Sequence, residues 1–209
     1  MENSKNKKLV MFDFDGVLVN TSDMSFQIHK IKNKNLTLEH FQEYHNGNFF
    51  DLFDKAKNEG TFLPADDWHG EYSRRLAEFT VLDILHDAVL HLATNFTLVI
   101  VSGTDSSIIR EFIKKENLAE CFSDVFGADI DRSKVIKIKS ILNKYNVAPE
   151  DTVFITDTLG DIKESNECSV PTIGVTWGLH TQEILGQGNP VAIVDDPSDL
   201  VTAIENVLK

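Results

Sequence analysis

Leu9-Val-Met-Phe-Asp13-Phe-Asp15-Gly16-Val-Leu-Val19 decides how the chain is read. An apolar run ends in two aspartates and then a glycine. A short apolar run bounded by a turn signal predicts a buried β-strand, with Asp13 at its carboxyl end. Residues two apart on a strand share a face, and the bend at Gly16 lets Asp15 swing towards the same pocket as Asp13. Two carboxylates held together repel, and burial raises the cost of their charge. The pair reads either as a strand-end turn with solvated acids, or as a pair with chemical work to do. In the second case a divalent cation, or a role as nucleophile and proton carrier, offsets the repulsion. The strongly apolar strand before the pair and the apolar residues after Gly16 favour the second reading.

The bulk numbers fit that strand into an ordinary soluble globular protein. The chain has 209 residues, 42% hydrophobic and 25% charged, enough for one domain or one domain with a smaller insert. A net charge of −13 argues against general affinity for nucleic acid or anionic membrane. It does not exclude a small phosphorylated substrate, because screening over about 8 Å lets a local cation override the global field. Cys121 and Cys168 have no short spacing, so neither a disulfide framework nor a zinc site is expected. Both read as buried small apolar residues of a reducing cytosol, and the localisation expected is cytoplasmic. No apolar stretch is long enough to span a bilayer. Lys5, Lys7 and Lys8 precede an apolar run, but Asp13 and Asp15 interrupt it, which argues against a signal peptide. Residues 1–7 are polar and read as a frayed end.

From Asn20 to Phe79 the character changes. Runs of β-branched apolar residues stop and scattered aromatics take over. Met24, Ile28 and Ile31 predict one helix face, and Leu38, Phe41 and Tyr44 a second helix opened by Thr37. Phe49 to Phe53 begin a third, ending near Gly60. Trp68, Tyr72, Leu76 and Phe79 stripe a fourth, opened near Pro64, Asp66 and Asp67. The remainder alternates helix and strand, with strands at Thr97–Val101, Phe122–Phe126, Thr152–Thr156, Thr172–Thr176 and Val191–Val194. Helices are striped by Leu82 to Leu92, Ile108 to Ile113, Val135 to Tyr145, and Leu200 to Val207. This pattern predicts an α/β fold with a mainly parallel sheet covered by helices on both faces. The expected division is a discontinuous core of residues 1–19 and 80–209, with an all-helical insert of residues 20–79.

Ligands of such sheets bind beyond the carboxyl ends of the strands. Asp13, Asp15, Ser102, Thr104, Asp157 and Asp161 all fall there. Asp157 ends an apolar strand as Asp13 does. Asp161, four residues on, sits in the first turn of a helix, where the macrodipole alone favours an acid. Asp oxygens suit Mg²⁺, which takes a few carboxylates plus substrate phosphate. No His cluster competes for a softer metal, and the seven histidines read as surface residues. Ser102 ends its strand before Gly103, where backbone N–H groups can receive a phosphate; an N-cap role for Thr104, Asp105 or Ser106 is the plainer account. Lys134 opens a helix after a polar loop and can balance nearby carboxylates, whereas Lys137 and Lys139 read as solvated.

Four segments in order resemble the four motifs of the haloacid dehalogenase-like (HAD) hydrolase superfamily: Asp13-Phe-Asp15-Gly-Val, Val-Ser102-Gly-Thr, Ser-Lys134-Val, and Phe-Ile-Thr-Asp157-Thr-Leu-Gly-Asp161. The helical insert is similar to its C1 cap. The stretch from Val170 through Trp177 and Gly178 to Asp195 and Leu200 is similar to the C-terminus of phosphoglycolate phosphatase-like members. The resemblance implies a Rossmann-like core and a Mg²⁺-dependent phosphatase acting on a small phosphorylated metabolite, with phosphoglycolate the nearest guess, as a monomer or homodimer. By it, Asp13 attacks phosphorus and forms an aspartyl-phosphate. Asp15 protonates the leaving oxygen and then deprotonates water. Mg²⁺ is held by Asp13, the Asp15 carbonyl, Asp157 and Asp161, while Ser102, Gly103 and Lys134, or Lys137 in its place, hold the phosphoryl oxygens. Departures are Thr156 where Gly commonly precedes the fourth-motif Asp, Asn20 where many relatives carry an acid, and Ser169 where Gly often stands. The alternatives are a phosphomutase of the β-phosphoglucomutase type, whose His and Trp pattern is not evident around Phe26–His29, and a non-catalytic binding module. Arg74, Arg75 and the lysines at 30, 32 and 34 are candidates to touch the substrate, with solvent exposure the plainer account.

Overall fold

The computed structural model describes residues 8–209; the frayed end read for residues 1–7 lies outside them. Six strands form one parallel sheet: β1 (Leu9–Phe12), β2 (Thr97–Val101), β3 (Phe122–Phe126), β4 (Thr152–Thr156), β5 (Thr172–Val175) and β6 (Ala192–Val194). Their order is β3-β2-β1-β4-β5-β6. The chain starts in the middle and winds outward in both directions, so the reversal of strand order falls between β1 and β4. In a doubly wound sheet that is where a crevice opens at the carboxyl edge. Phe12 of β1 is in register with Ile155 of β4, which brings Asp13 and Asp157 to the same edge.

Alternation along each strand builds two cores. Val10 and Phe12, Leu98 and Ile100, and Val153 and Ile155 face one side of the sheet. Leu9 and Met11, Val99 and Val101, and Phe154 face the other, as a period of two requires. The first face is covered by α5 (Asp83–Asn95), α6 (Ser106–Lys115) and α10 (Leu200–Val207), the second by α7 (Lys134–Tyr145). Both faces are thus sealed, which is why these strands tolerate continuous apolar sequence.

Between β1 and α5 the chain forms α1 (Ser22–Lys30), α2 (Leu38–Glu43), α3 (Phe49–Asn58) and α4 (Trp68–Leu76). The starts of three are fixed by side chains read in the sequence or beside it. Thr37 accepts from the His40 N–H, Asn48 from Asp51 and Asp67 from Gly70, each satisfying an otherwise orphaned donor. Phe26, Phe41, Phe62 and Leu36 form a small core with Leu179 from the far end of the chain. Ile31, expected on the buried face of α1, lies past its end and is 56% exposed. Cys168 is buried but Cys121 is only half-buried, and both are free. Ser169 takes a φ of 57°, the left-handed conformation glycine adopts most cheaply, which fits the glycine that the resemblance implies there. The helices α8 (Leu159–Asn166) and α9 (Gln182–Gly186) complete the fold. Among the described residues no helix is long and apolar enough to cross a membrane.

Candidate active site

A cavity of about 130 Å³ lies between the carboxyl edge of the sheet and helices α1–α4. Asp13, Asp15, Gly103, Lys134, Asp157 and Asp161 all line it. The Asp13 N–H bonds the Ile155 carbonyl at 2.9 Å, continuing the β1–β4 pairing one residue past the strand. Its carboxylate accepts from the Phe14 N–H at 2.7 Å and from Lys134 Nζ at 2.6 Å. Lys134 Nζ also reaches Asp161 Oδ2 at 2.5 Å. One lysine therefore bridges two acids, and all three are buried. Burial raises the Asp13 carboxyl well above its usual range against the pull of Lys134. Burial acts the same way on Asp161, but Lys134 and the Thr156 hydroxyl overcome it and hold that carboxyl below its usual range. Lys134, disfavoured by burial, is held above the ordinary lysine value by its two carboxylates.

Thr156 explains its own departure from the family pattern. Its hydroxyl donates to Asp161 Oδ2 at 2.7 Å, and its oxygen accepts from the Thr158 N–H at 3.2 Å. It aims Asp161 and holds the turn that a glycine would otherwise leave loose.

Asp157 is wedged between two glycines. A Cβ on Gly16 would fall 1.9 Å from Asp157 Oδ2, and one on Gly178 would fall 2.3 Å from it. Gly16 also has a φ of +72°, so the turn after Asp15 needs glycine twice over. Asp157 Oδ2 accepts from the Leu179 N–H at 2.7 Å. Its Oδ1 is buried with no hydrogen-bond partner among the described residues. Burial lifts this carboxyl to about 7.

Asp15 is held by three hydroxyls. Thr21 donates to Oδ1 at 2.5 Å, Tyr72 donates to the same oxygen, and Thr104 donates to Oδ2 at 2.7 Å. Burial and the neighbouring Asp15 charge raise the Tyr72 phenol well above its ordinary range, so it stays a donor. Thr21 and Tyr72 come from the helical segment and were not singled out by sequence. Tyr72 was read only as one member of a helix stripe, and hydroxyls have no periodic signature.

Ser102 is not on the cavity wall. It is fully buried, its Oγ accepts from the Thr104 N–H at 3.0 Å, and it fixes the turn that presents Gly103. Lys137 is not solvated: it is 0% exposed and donates to the Ser102 carbonyl at 2.6 Å. Burial, with Lys134 nearby, lowers its pKa to about 8. Lys137 thus supports the turn from behind, while Lys134 faces the cavity.

Three of the seven histidines correct the sequence reading, while His40, His69 and His91 are exposed and His86 is half-buried. His29 and His180 are buried, and His45 lines the cavity. The Leu159 N–H donates to His180 Nδ1 at 3.0 Å, so the proton sits on Nε2, which donates to the Gln42 carbonyl at 3.1 Å. His45 Nδ1 lies 2.9 Å from the Phe41 carbonyl, which can only accept, so that nitrogen carries the proton. Burial lowers the His29 and His45 pKa values to about 4, and both rings are neutral near pH 7.

The helical segment is fastened over the sheet edge by polar contacts. Gly160 N–H donates to the His45 carbonyl at 2.8 Å, Lys163 Nζ to the Asn46 carbonyl at 2.9 Å, and Asn48 Nδ2 to Glu164 Oε1 at 3.0 Å. Gly160 admits this approach because a Cβ there would sit 2.2 Å from the Gly47 carbonyl oxygen. Glu164 also accepts from the Lys134 N–H at 2.9 Å.

Comparison with known proteins agrees with this geometry. The family model described as haloacid dehalogenase-like hydrolase matches residues 10–175. A phosphoglycolate phosphatase of Vibrio parahaemolyticus is 24% identical over 159 residues, covering 74% of this chain and 68% of that protein. The same-named protein of Salmonella typhi is 24% identical over 115 residues, covering 54% of this chain and 46% of its own length. The matched stretches thus span from under half to about two thirds of these relatives. A hydrolase from Pseudomonas syringae superposes with a TM-score of 0.79 at 15% identity, covering 97% of this chain and 100% of that one. A haloacid dehalogenase-like protein from Agrobacterium tumefaciens gives 0.77 at 20%, covering 97% and 100%. With a parallel sheet that opens at β1 and β4, an Asp-x-Asp turn closed by glycine, and a family match running through all four acidic and basic segments, the chain belongs to the haloacid dehalogenase-like hydrolases.

Proposed function

We infer that the protein is a Mg²⁺-dependent phosphatase that hydrolyses a small phosphomonoester through an aspartyl-phosphate on Asp13. The observation that carries this reading is the pairing of Asp13, fixed at the end of β1 beside Lys134, with Asp15, held two residues on by three hydroxyls. The names of the curated relatives support a phosphoric monoester as substrate.

In this reading an Asp13 carboxylate oxygen bonds to phosphorus as the bond from phosphorus to the leaving oxygen breaks. Asp15 gives that oxygen its proton. Water then attacks the phosphorus of the acyl phosphate and passes a proton back to Asp15, and the Asp13 carboxylate is released. Splitting one displacement into two is the gain from covalent catalysis. Lys134 and the Ser102–Gly103 turn take the phosphoryl oxygens, so positioning and charge neutralisation carry most of the acceleration.

The residues present fit a hard dication. Among the described residues no three His, Cys, Asp or Glu side chains are gathered as a ready ligand set, because Asp13 and Asp161 turn towards Lys134. Yet Asp157 Oδ1 is buried without a partner, and a buried carboxylate oxygen in that state is costly unless something positive meets it. Asp13, the Asp15 carbonyl and Asp157 would hold Mg²⁺, with Asp161 directly or through water. Bound there it would neutralise the phosphoryl oxygens. Residues 20–79 form the cap, and residues 8–19 and 80–209 belong to the core. The cap excludes water and supplies the contacts to the alcohol half of the substrate. Two free cysteines fit a reducing cytoplasm.

The test is phosphate release from a broad panel of phosphomonoesters with Mg²⁺. Asp13→Asn should fold and release none. Activity in that variant above about a hundredth of wild type would remove the assigned nucleophile.

A further inference from the structure

The cap side of the cavity is lined mostly by rings, with Ser22, Ser25 and Asn48 beside them, and among the described residues it carries no lysine or arginine. His29, Phe41, His45, Phe49, Trp68 and Tyr72 line it. Trp68 stacks on Tyr72 with centroids 4.6 Å apart and planes at 19°, and His29 stacks on Trp68 at 6.1 Å and 25°. His45 stacks on Phe49 at 4.7 Å and 27°. The two stacks are joined into one cluster, His29 lying 6.2 Å from Phe49 and 5.7 Å from Phe41. Among the described residues, no lysine or arginine of residues 20–79 lines the cavity. The five candidates for substrate contact, for which solvent exposure is the plainer account, lie elsewhere: Arg74 and Arg75 pair with Glu71 at 2.9 and 2.6 Å, Lys32 pairs with Asp66, Lys30 lies over the Phe26 ring, and Lys34 is exposed.

On the core side the two cations of the lining, Lys134 and Arg132, already have partners. Lys134 is shared by Asp13 and Asp161. Arg132, on the rim, pairs with Asp54 at 3.2 Å and covers the Phe50 ring. Both cavity histidines are neutral near pH 7. The carboxyl of Glu164 adds a further acid to the lining. A second anionic group on the substrate would leave water for a wall that offers it rings and a few neutral polar groups but no free cation, and a buried charge without one is costly. A flat uncharged group would instead gain ring contacts beyond its burial.

We propose that the alcohol half of the substrate is uncharged and presents one flat apolar face, so that esters of small ring-bearing alcohols are preferred over esters whose alcohol carries a carboxylate or a second phosphate. This rests on the phosphatase reading above and deepens it. It separates this chain in selectivity from the substrate named for its curated relatives, since glycolate carries a carboxylate.

The test compares kcat/KM of the full chain with Mg²⁺ for benzyl phosphate and phosphoglycolate. Both are esters of primary alcohols, so leaving-group chemistry does not decide the outcome. Benzyl phosphate should lead by at least about tenfold, mostly in KM, which corresponds to about 1.4 kcal/mol. Phe49→Arg, which places a cation in the ring wall, should cut that ratio at least about tenfold. Parity, or a lead for phosphoglycolate, in the wild-type protein overturns the proposal. A binding arm separates it from the phosphatase reading. Benzylphosphonate and phosphonoacetate, neither hydrolysable, are titrated calorimetrically in Mg²⁺. Tighter benzylphosphonate with no turnover of either ester upholds the selectivity and removes the phosphatase reading. Equal affinity, or tighter phosphonoacetate, overturns the selectivity.

Discussion

The phenol of Tyr72, on α4 of the helical segment, donates a hydrogen bond to Asp15 Oδ1, on the turn after β1. The two residues are 57 positions apart, and the contact exists only while the helices sit against the sheet edge. Tyr72 is 1% exposed, so the bond is shielded from water. It ties the orientation of the proposed proton carrier to the seating of the helices. Tyr72→Phe keeps the ring and its stacking on Trp68 but removes the donor. A hydrogen bond to a charged group contributes about 1.5–3 kcal/mol, so kcat should fall about ten- to a hundredfold with a smaller change in KM. A lowered melting temperature with kcat intact would mean that the bond serves stability alone.

Lys134 tests the charge balance of the site. Removing one member of a buried ion pair leaves an uncompensated charge and costs about 3–5 kcal/mol. Lys134→Met leaves Asp13 and Asp161 without their cation, and their pKa values rise. The folded state then binds more protons than the unfolded one above about pH 4, so its stability falls as pH rises. Urea denaturation should show the deficit of the variant growing between pH 4.5 and 7. A deficit that shrinks over that range would mean the lysine does not neutralise the two acids.

Asp157 tests the cation. A ligand that binds only the folded state stabilises it, by about 2.7 kcal/mol at a hundred times its dissociation constant. Millimolar Mg²⁺ should therefore raise the melting temperature of the wild-type protein, and excess EDTA should reverse the shift. Asp157→Asn replaces the orphaned oxygen with a weaker ligand and should abolish the shift while the fold persists by circular dichroism. An equal Mg²⁺ shift in the variant would place the ion elsewhere.

Much of this architecture is legible before any coordinates. The bounds of β2 and β4 match the apolar runs residue for residue, because each is a β-branched or aromatic run ending in turn chemistry, and those of β3, Phe-Ser-Asp-Val-Phe, match as well although its middle is polar. The acids at the strand ends are legible for the same reason: a carboxylate closing a buried run contradicts its surroundings and draws notice. Lys137 escapes this logic. On an amphipathic helix it reads as solvated, and only the packing of α7 against the turn at Ser102 shows its ammonium meeting a buried carbonyl. Thr21 and Tyr72 escape it too, since periodicity gives the face of a helix and not what that face meets. The α9 helix is five residues long, too short to display a stripe.

His29 is the clearest case of a polar residue hidden by its pattern, and it makes the pH dependence of folding testable. Its ring lies among Phe41, Phe53, Phe62 and Trp68, at centroid distances of 5.7, 5.7, 5.3 and 6.1 Å. Its Nδ1 is buried without a partner among the described residues. Burial lowers its pKa from 6.5 to about 4. Between those values the unfolded chain binds a proton that the folded one does not, so stability falls as pH drops through this window. At pH 5 the loss from this one group is about 2 kcal/mol, at 1.36 kcal/mol per unit. His29→Phe keeps a ring of similar size and removes the titration. Unfolding free energies at pH 7 and pH 5 should fall further for the wild-type protein than for the variant, by about that amount. His45 and His180, also lowered by burial, leave a residual slope in both proteins. Equal losses in the two would show that the His29 ring takes up its proton without unseating the aromatic cluster.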